Sequence, residues 1–346
     1  MIDTEKIKQG AVNMFKVNMG LKAGEKVLVV TDAPTMDDWK KKTIEQLTDF
    51  VQRTLLAKAV SEIASENFPE SPVEFYVYPS VGRHGAELTA EVAEKLKTVD
   101  VLIAITSYSL THTEARESAT KAGVRVASMP LFLADMFHPR GPMAADYMKV
   151  KEETEKLAKL ITEAEEAVVK TPAGTDITFS LKGRSGGVDA GIFAERGAWG
   201  NLPSGEAYTA PLEGTAEGKV VVEKGWYAGL TENMTLAFRN GEVVEVIGGS
   251  KVGDEFRELL KPGVDEEPYK SRRNFAELGI GTNPNAKRPD NVLEAEKIRE
   301  TVHIAVGDNS HMGGKVKADL HQDFVLPNPD LYFDGKPIIK GGKTVI

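Results

Sequence analysis

The sequence predicts an α/β N-terminal domain of parallel βαβ units, followed by an α+β, largely antiparallel C-terminal domain that carries a metal site. Three observations lead there. Strand-like apolar runs alternate with helix-length amphipathic segments over the first ~165 residues. Hairpin turn signals dominate after ~168. The chain has 346 residues, which at roughly 150 per domain makes about two domains. The boundary is placed so that the domains are 1–165 and 166–346.

In order along the chain, LKAGEKVLVVTD (21–32) ends in a buried-strand run. Residues 43–66 carry Ile44, Leu47, Val51, Leu55 and Val60 at helical spacing. VEFYVYP (73–79), DVLIAITS (100–107) and VRVASMP (124–130) are rich in β-branched and aromatic residues and read as strands. TAEVAEKLK and THTEARESATKAG between them read as helices, the second capped by Gly123. A charged amphipathic helix over 145–167 bridges to the second domain. There AVVKTPAGTDITFSLK, TLAFRNGEVVEVIGG and LYFDGKPIIK each read as a hairpin, the last two turning on Asn240-Gly241 and Asp334-Gly335. Helix is expected only over 253–261 and 291–300.

Composition removes several classes of function. Forty-three Lys and Arg against 52 Asp and Glu leave a net charge of −9, which argues against a nucleic-acid partner. With no cysteine there is no disulfide framework, thiolate metal site, iron–sulfur cluster or cysteine nucleophile. No run of ~18 apolar residues and no N-terminal apolar stretch of secretory length occurs, so a cytoplasmic protein without membrane association is expected.

Some tempting motifs fail on context. GRSGG (183–187) follows a strand but lacks the helix that a strained nucleophile elbow at Ser185 needs, so it reads as a loop. Gly279-Ile280-Gly281 lacks a third glycine and the strand–helix setting of a dinucleotide fingerprint. The basic run Lys270–Arg273 reads as a solvated face.

The histidines are more telling. His303, His311 and His321 are three of only six and fall within nineteen residues. TVHIAVG reads as a strand with Val302, Ile304 and Val306 on one face and His303 on the other. ADLHQDF puts Asp319, His321 and Asp323 on one face, with Leu320 and Phe324 opposite. A His and an Asp two apart on a strand chelate naturally, and His303 would complete a two-His-one-carboxylate face for one ferrous ion. Glu206 in NLPSGEAYTAP and Glu277 in FAELGIGTNP sit in apparent loops where a lone carboxylate has little other use. Adding them gives five ligands, enough for two divalent ions that share a carboxylate and activate water.

Taken together, SYSLTHTEARESATKAGVRVASMP, TPAGTDITFSLKGR, NLPSGEAYTAPLEGTAEGKVVV, FAELGIGTNPNAK, LEAEKIRETVHIAVGDN and ADLHQDFVL resemble the metalloaminopeptidase family typified by aminopeptidase T, with the AmpS and PepS enzymes. The resemblance implies two divalent ions (zinc, cobalt or manganese), a homodimer, and removal of N-terminal residues from small peptide substrates. It makes Glu206 a terminal ligand, Glu277 a bridging ligand, and His303, His321 and Asp323 further ligands. Glu296 best matches the acid upstream of the first histidine, although its spacing to His303 differs. The tyrosine expected soon after that histidine is missing, and Ser310-His311 stands there, which makes His311 a candidate catalytic group. The chain is also similar to the 2,5-dihydroxypyridine dioxygenases, which implies instead one Fe(II) on a His, His, Asp set and ring cleavage.

Overall fold

The structure is a computed structural model that describes residues 2–346. Two compact units make up the chain. The first runs through Tyr147 and includes Gly191–Ser204, and the second is Met148–Ala190 with Gly205–Ile346. The sequence places a single boundary at 165/166, while the chain passes between units at 147/148 and again around 190 and 205. The long helix Tyr147–Glu163 therefore belongs almost wholly to the second unit.

In the first unit five strands lie parallel in the order Val73–Pro79, Val27–Ala33, Val101–Thr106, Arg125–Pro130, Trp199–Asn201. The central three are buried on both faces, which is why they read as unbroken apolar runs. The expected helices are present. Ile44–Asn67 starts with a reciprocal Thr43–Gln46 capping box, and Glu114–Ala122 ends at Gly123 in the left-handed region with φ +103°. The buried side of the long helix differs from the expected one. Leu47, Phe50, Leu56, Val60 and Ile63 face inward, whereas Ile44, Val51 and Leu55 are exposed. Apolar residues surround this helix, so spacing alone did not select its inner face.

The second unit holds two antiparallel sheets. One has eight strands, in the order Glu242–Gly248, Met234–Arg239, Glu217–Val222, Asp176–Ser180, Glu166–Lys170, Asp330–Phe333, Lys336–Lys340, Lys343–Thr344. All three predicted hairpins lie in it. Asn240 and Gly241 have φ +50° and +75°, and Asp334 and Gly335 have +48° and +74°, the paired positive values that a type I′ turn requires. The other sheet has five strands, in the order His321–Leu326, Val302–Gly307, Phe275–Gly281, Glu206–Thr209, Gly187–Asp189. Val302, Ile304, Val306, Leu278, Ile280, Phe324 and Leu326 from this sheet join the unit's core.

Two expectations need correction. The 291–300 helix is only Val292–Ala295. Beyond it the backbone runs alongside 281–283, with Asn283 N–H donating to Lys297 O at 2.9 Å and Gly281 N–H to Thr301 O at 3.1 Å, so those groups cannot close helical turns. Glu206 and Glu277, taken for loop residues, lie in strands. No helix among the described residues is long and apolar enough to cross a membrane.

Candidate metal centre

Strand periodicity builds the site. Because alternate residues share a face, the registers Gly307↔His321, Ala305↔Asp323, Glu277↔Ala305, Gly279↔His303, Gly281↔Glu206 and Asp189↔Glu206 put all these residues on one side of the five-stranded sheet. The opposite side supplies the core residues named above. Small residues make room between the functional ones. A Cβ on Gly279 would lie 1.9 Å from His303 Nε2, so only glycine lets that ring lie across the neighbouring strand. Gly187 does the same for the Tyr208 ring, 2.4 Å from its Cζ. Ala305, a small residue, stands in register between Glu277 and Asp323.

On one half of this face, Glu277, His321 and Asp323 each aim one ligand atom into a common space, all within 4.8 Å of one another. His321 Nε2 is 3.0 Å from Glu277 Oε2 and 3.5 Å from Asp323 Oδ1. Its Nδ1 lies 2.7 Å from the Asp308 carbonyl oxygen, and donating there holds the ring so that Nε2 is the free ligand nitrogen. The buried Asp323 Oδ1 has no hydrogen-bond partner, a deficit that a cation would meet. Burial disfavours the Glu277 carboxylate, but the His303 and His321 rings beside it outweigh that and hold the carboxyl far below its usual range. Burial likewise opposes the His321 imidazolium, yet the charge of Asp323 and the Glu277 carboxylate 3.0 Å away lift its pKa well above normal. The protonated rings thus stand where positive charge is demanded.

The other half is organised around an ammonium. Lys297 Nζ is 2.6 Å from Glu206 Oε1, 3.1 Å from Glu296 Oε2 and 4.0 Å from Asp189 Oδ2, and its side chain is 4% exposed. Burial acts against its charge, but the three carboxylates more than compensate and raise its pKa. Burial pushes the Glu296 carboxyl up to about 8, against the pull of Lys297. Between the halves, His303 Nε2 lies 3.3 Å from Glu206 Oε2 and 3.6 Å from Glu277 Oε1. Burial lowers its pKa, but the Glu277 carboxylate 3.6 Å away and the Glu206 charge carry it to about 9. Tyr208 shares this face, and burial followed by the nearby charges of Asp189 and Glu206 pushes its phenol up to about 12.

All six candidate ligands therefore meet on one sheet face or beside it. The set that converges on one point is Glu277, His321 and Asp323, with His303 on the Glu206 side of Glu277, rather than the expected His303, His321, Asp323 face. Asp319 is not part of it, because it precedes the strand and binds Arg272 bidentately at 2.7 and 2.6 Å. His311 is 39% exposed, with Nδ1 2.9 Å from Asp308 Oδ1 and its ring centre 5.3 Å from that of His321. Ser185 precedes a short strand and not a helix, as read from the sequence. The basic run is not a solvated face throughout, since Arg273 is buried and tied to Glu242 and to the Val264 carbonyl. Sequence reasoning missed Lys297, Asp189 and Tyr208. Tyr208 lies two residues from Glu206, so strand periodicity would have found it once 206–209 was read as strand.

The fold and the site together define a two-unit α/β and α+β protein with a buried histidine–carboxylate cluster of the kind that holds a divalent metal. Residues 11–346 match the family described as NicX, 2,5-dihydroxypyridine 5,6-dioxygenase, and the chain belongs to that family. It is 27% identical over 275 residues, 75% of each chain, to the 2,5-dihydroxypyridine 5,6-dioxygenase of Pseudomonas putida. Among solved structures it is similar to 2,5-dihydroxypyridine dioxygenase from Pseudomonas putida KT2440, with a TM-score of 0.73, 19% identity, and coverage of 100% of this chain and 98% of that one. It is also similar to wild-type AmpT from Thermus thermophilus, with a TM-score of 0.61, 17% identity and 99% coverage of both chains.

These findings correct the functional expectation. The likeness to the aminopeptidases is one of fold, while the family and the relative similar in sequence are dioxygenases. The hydrolase, exopeptidase and peptide-substrate readings are overturned. The ligand types that suggested them are shared by both chemistries, since imidazole and carboxylate serve zinc and iron alike.

Proposed function

We propose that this chain is a ring-cleaving dioxygenase acting on a hydroxylated aromatic ring of the 2,5-dihydroxypyridine type, with one ferrous ion held by Glu277, His321 and Asp323. The observation that carries the reading is the convergence of one imidazole and two carboxylates on a single point, in a chain of the NicX family. Imidazole and carboxylate are both ligand types that iron accepts, here as one histidine and two carboxylates in place of the two-histidine face read from the sequence, and the buried Asp323 Oδ1, without a hydrogen-bond partner, supports a cation there. When bound, the ferrous ion supplies the one-electron chemistry that lets a ring and O₂ react.

The chain's own groups bind and orient. His321 is fixed by the Asp308 carbonyl, so its Nε2 cannot turn away from the ion. Once Glu277 shares its charge with a cation, His303 keeps Glu206 as its anionic partner. His303 Nε2, protonated and charge-balanced by Glu206 3.3 Å away, then stands as a donor that can hold a ring oxygen and orient the ring. The apolar opposite face of the sheet keeps this side rigid.

The test is oxygen uptake. Protein loaded anaerobically with Fe(II) and mixed with 2,5-dihydroxypyridine should consume about one O₂ per ring lost, and the zinc-loaded protein should consume none. No uptake with the ferrous protein, or equal uptake with zinc, would overturn the reading.

A further inference from the structure

The two halves of the site face make opposite demands on solvent cations. Five acids share the region: Asp189, Glu206, Glu277, Glu296 and Asp323. Around Glu277 and Asp323 no side-chain ammonium or guanidinium stands within ion-pair reach among the described residues, and the nearest positive charges are histidines that can give up a proton to a metal. Around Glu206 and Glu296 the position that a second ion would take is already filled. A divalent ion binds carboxylate oxygens at roughly 2.0–2.2 Å, and Lys297 Nζ lies 2.6 and 3.1 Å from those same oxygens. The two cations cannot share that space.

We propose that the Lys297 ammonium is a built-in substitute for a second metal ion and holds this centre to one metal. Its chain is anchored from the backbone, where Lys297 O accepts from Asn283 N–H and Lys297 N–H donates to Glu294 O at 3.0 Å, so the ammonium is presented from a fixed segment. Remove the ammonium, and Glu206, Glu296 and His303 become a vacant ligand set. Glu206 Oε2 is already buried without a hydrogen-bond partner, with His303 Nε2 3.3 Å away.

The inference rests on the centre being a metal site, as in the proposed oxygenase, but its test does not use turnover. Full-length protein is saturated with Mn²⁺ or Zn²⁺, desalted, and assayed for metal by mass spectrometry beside calorimetric titration. Wild type and Lys297→Arg should bind one ion per chain, and Lys297→Met should bind two. A wild-type count of two overturns the inference, as does a folded Lys297→Met that stays at one. Should Lys297→Met not fold, Glu206→Gln decides. A loss of metal affinity smaller than about tenfold supports Glu206 as the partner of the ammonium, and a loss of tenfold or more makes it a metal ligand and overturns the inference. Absent oxygen uptake with these counts intact would sink the oxygenase reading alone.

Discussion

Two neighbouring parts of one sheet face solve the same electrostatic problem in different ways. On the Glu206 side, three acidic side chains share the positive charge of one buried lysine that the chain itself carries in. On the Glu277 side, two carboxylates meet a histidine, whose proton is exchangeable for a metal. A cluster of buried acids is thus not by itself a count of metals. What decides the count is whether the compensating charge is a permanent ammonium or a replaceable proton.

The largest break in this contrast comes from His321→Ala. It removes the single imidazole of the converging set, so iron affinity should fall by at least about 100-fold and oxygen uptake should vanish with it. The fold should persist, because His321 lies outside the unit's apolar core. Metal analysis and a melting curve check both halves of the statement.

Gly279→Ala attacks the geometry rather than the ligands. Its Cβ would meet His303 Nε2 at 1.9 Å, so the ring must swing off the Glu206–Glu277 line. Overpacking of this kind costs about 1–3 kcal/mol, which denaturant unfolding of the metal-free protein would measure. Unchanged stability would show that the ring has room elsewhere.

Acidity sharpens the comparison next. His303 titrates near 9 in the folded protein against 6.5 for an unperturbed imidazole, so its contribution to stability is complete below about pH 6.5 and is lost as pH rises toward 9. Glu296, raised to about 8, acts in the same direction up to that pH, because the folded protein keeps a proton that the unfolded chain has already lost. The melting temperature of metal-free protein should therefore fall between pH 6.5 and 9, and bound Fe(II) should flatten the fall. A melting temperature that climbs over this range would contradict the assignment.

The smallest effect is expected at His311. It is partly exposed and hydrogen-bonded to the Asp308 carboxylate, while the Asp308 backbone carbonyl holds His321. His311→Ala should change oxygen uptake by no more than about threefold and stability by about 0.5 kcal/mol or less. A large loss of uptake at normal iron content would make it a catalytic group.

Much of the fold was legible because its signals are local. The buried parallel strands read as apolar runs, and Asn240-Gly241 and Asp334-Gly335 marked their turns. The ligand residues were legible as types and as the two-residue spacing of His321 and Asp323. What hid the strands of Glu206 and Glu277 is the site itself. Phe275–Gly281 is buried along its length and contains glycines where a strand would favour β-branched residues, and one of them makes way for His303. Lys297 was hidden for a different reason. In LEAEKIRE it looks like one more charge on a solvated helix, and only the shortened helix turns it inward. Its pairing with Asp189, more than a hundred residues away, leaves no local trace.

The central claim is one metal ion, bound on the Glu277 side. The most direct measurement is a crystal structure of the ferrous protein with anomalous data collected at the iron edge. A single iron peak within bonding distance of Glu277, His321 and Asp323, with Lys297 still between Glu206 and Glu296, is the predicted result. Two peaks, or one peak between Glu206 and Glu296 with the lysine displaced, would contradict it.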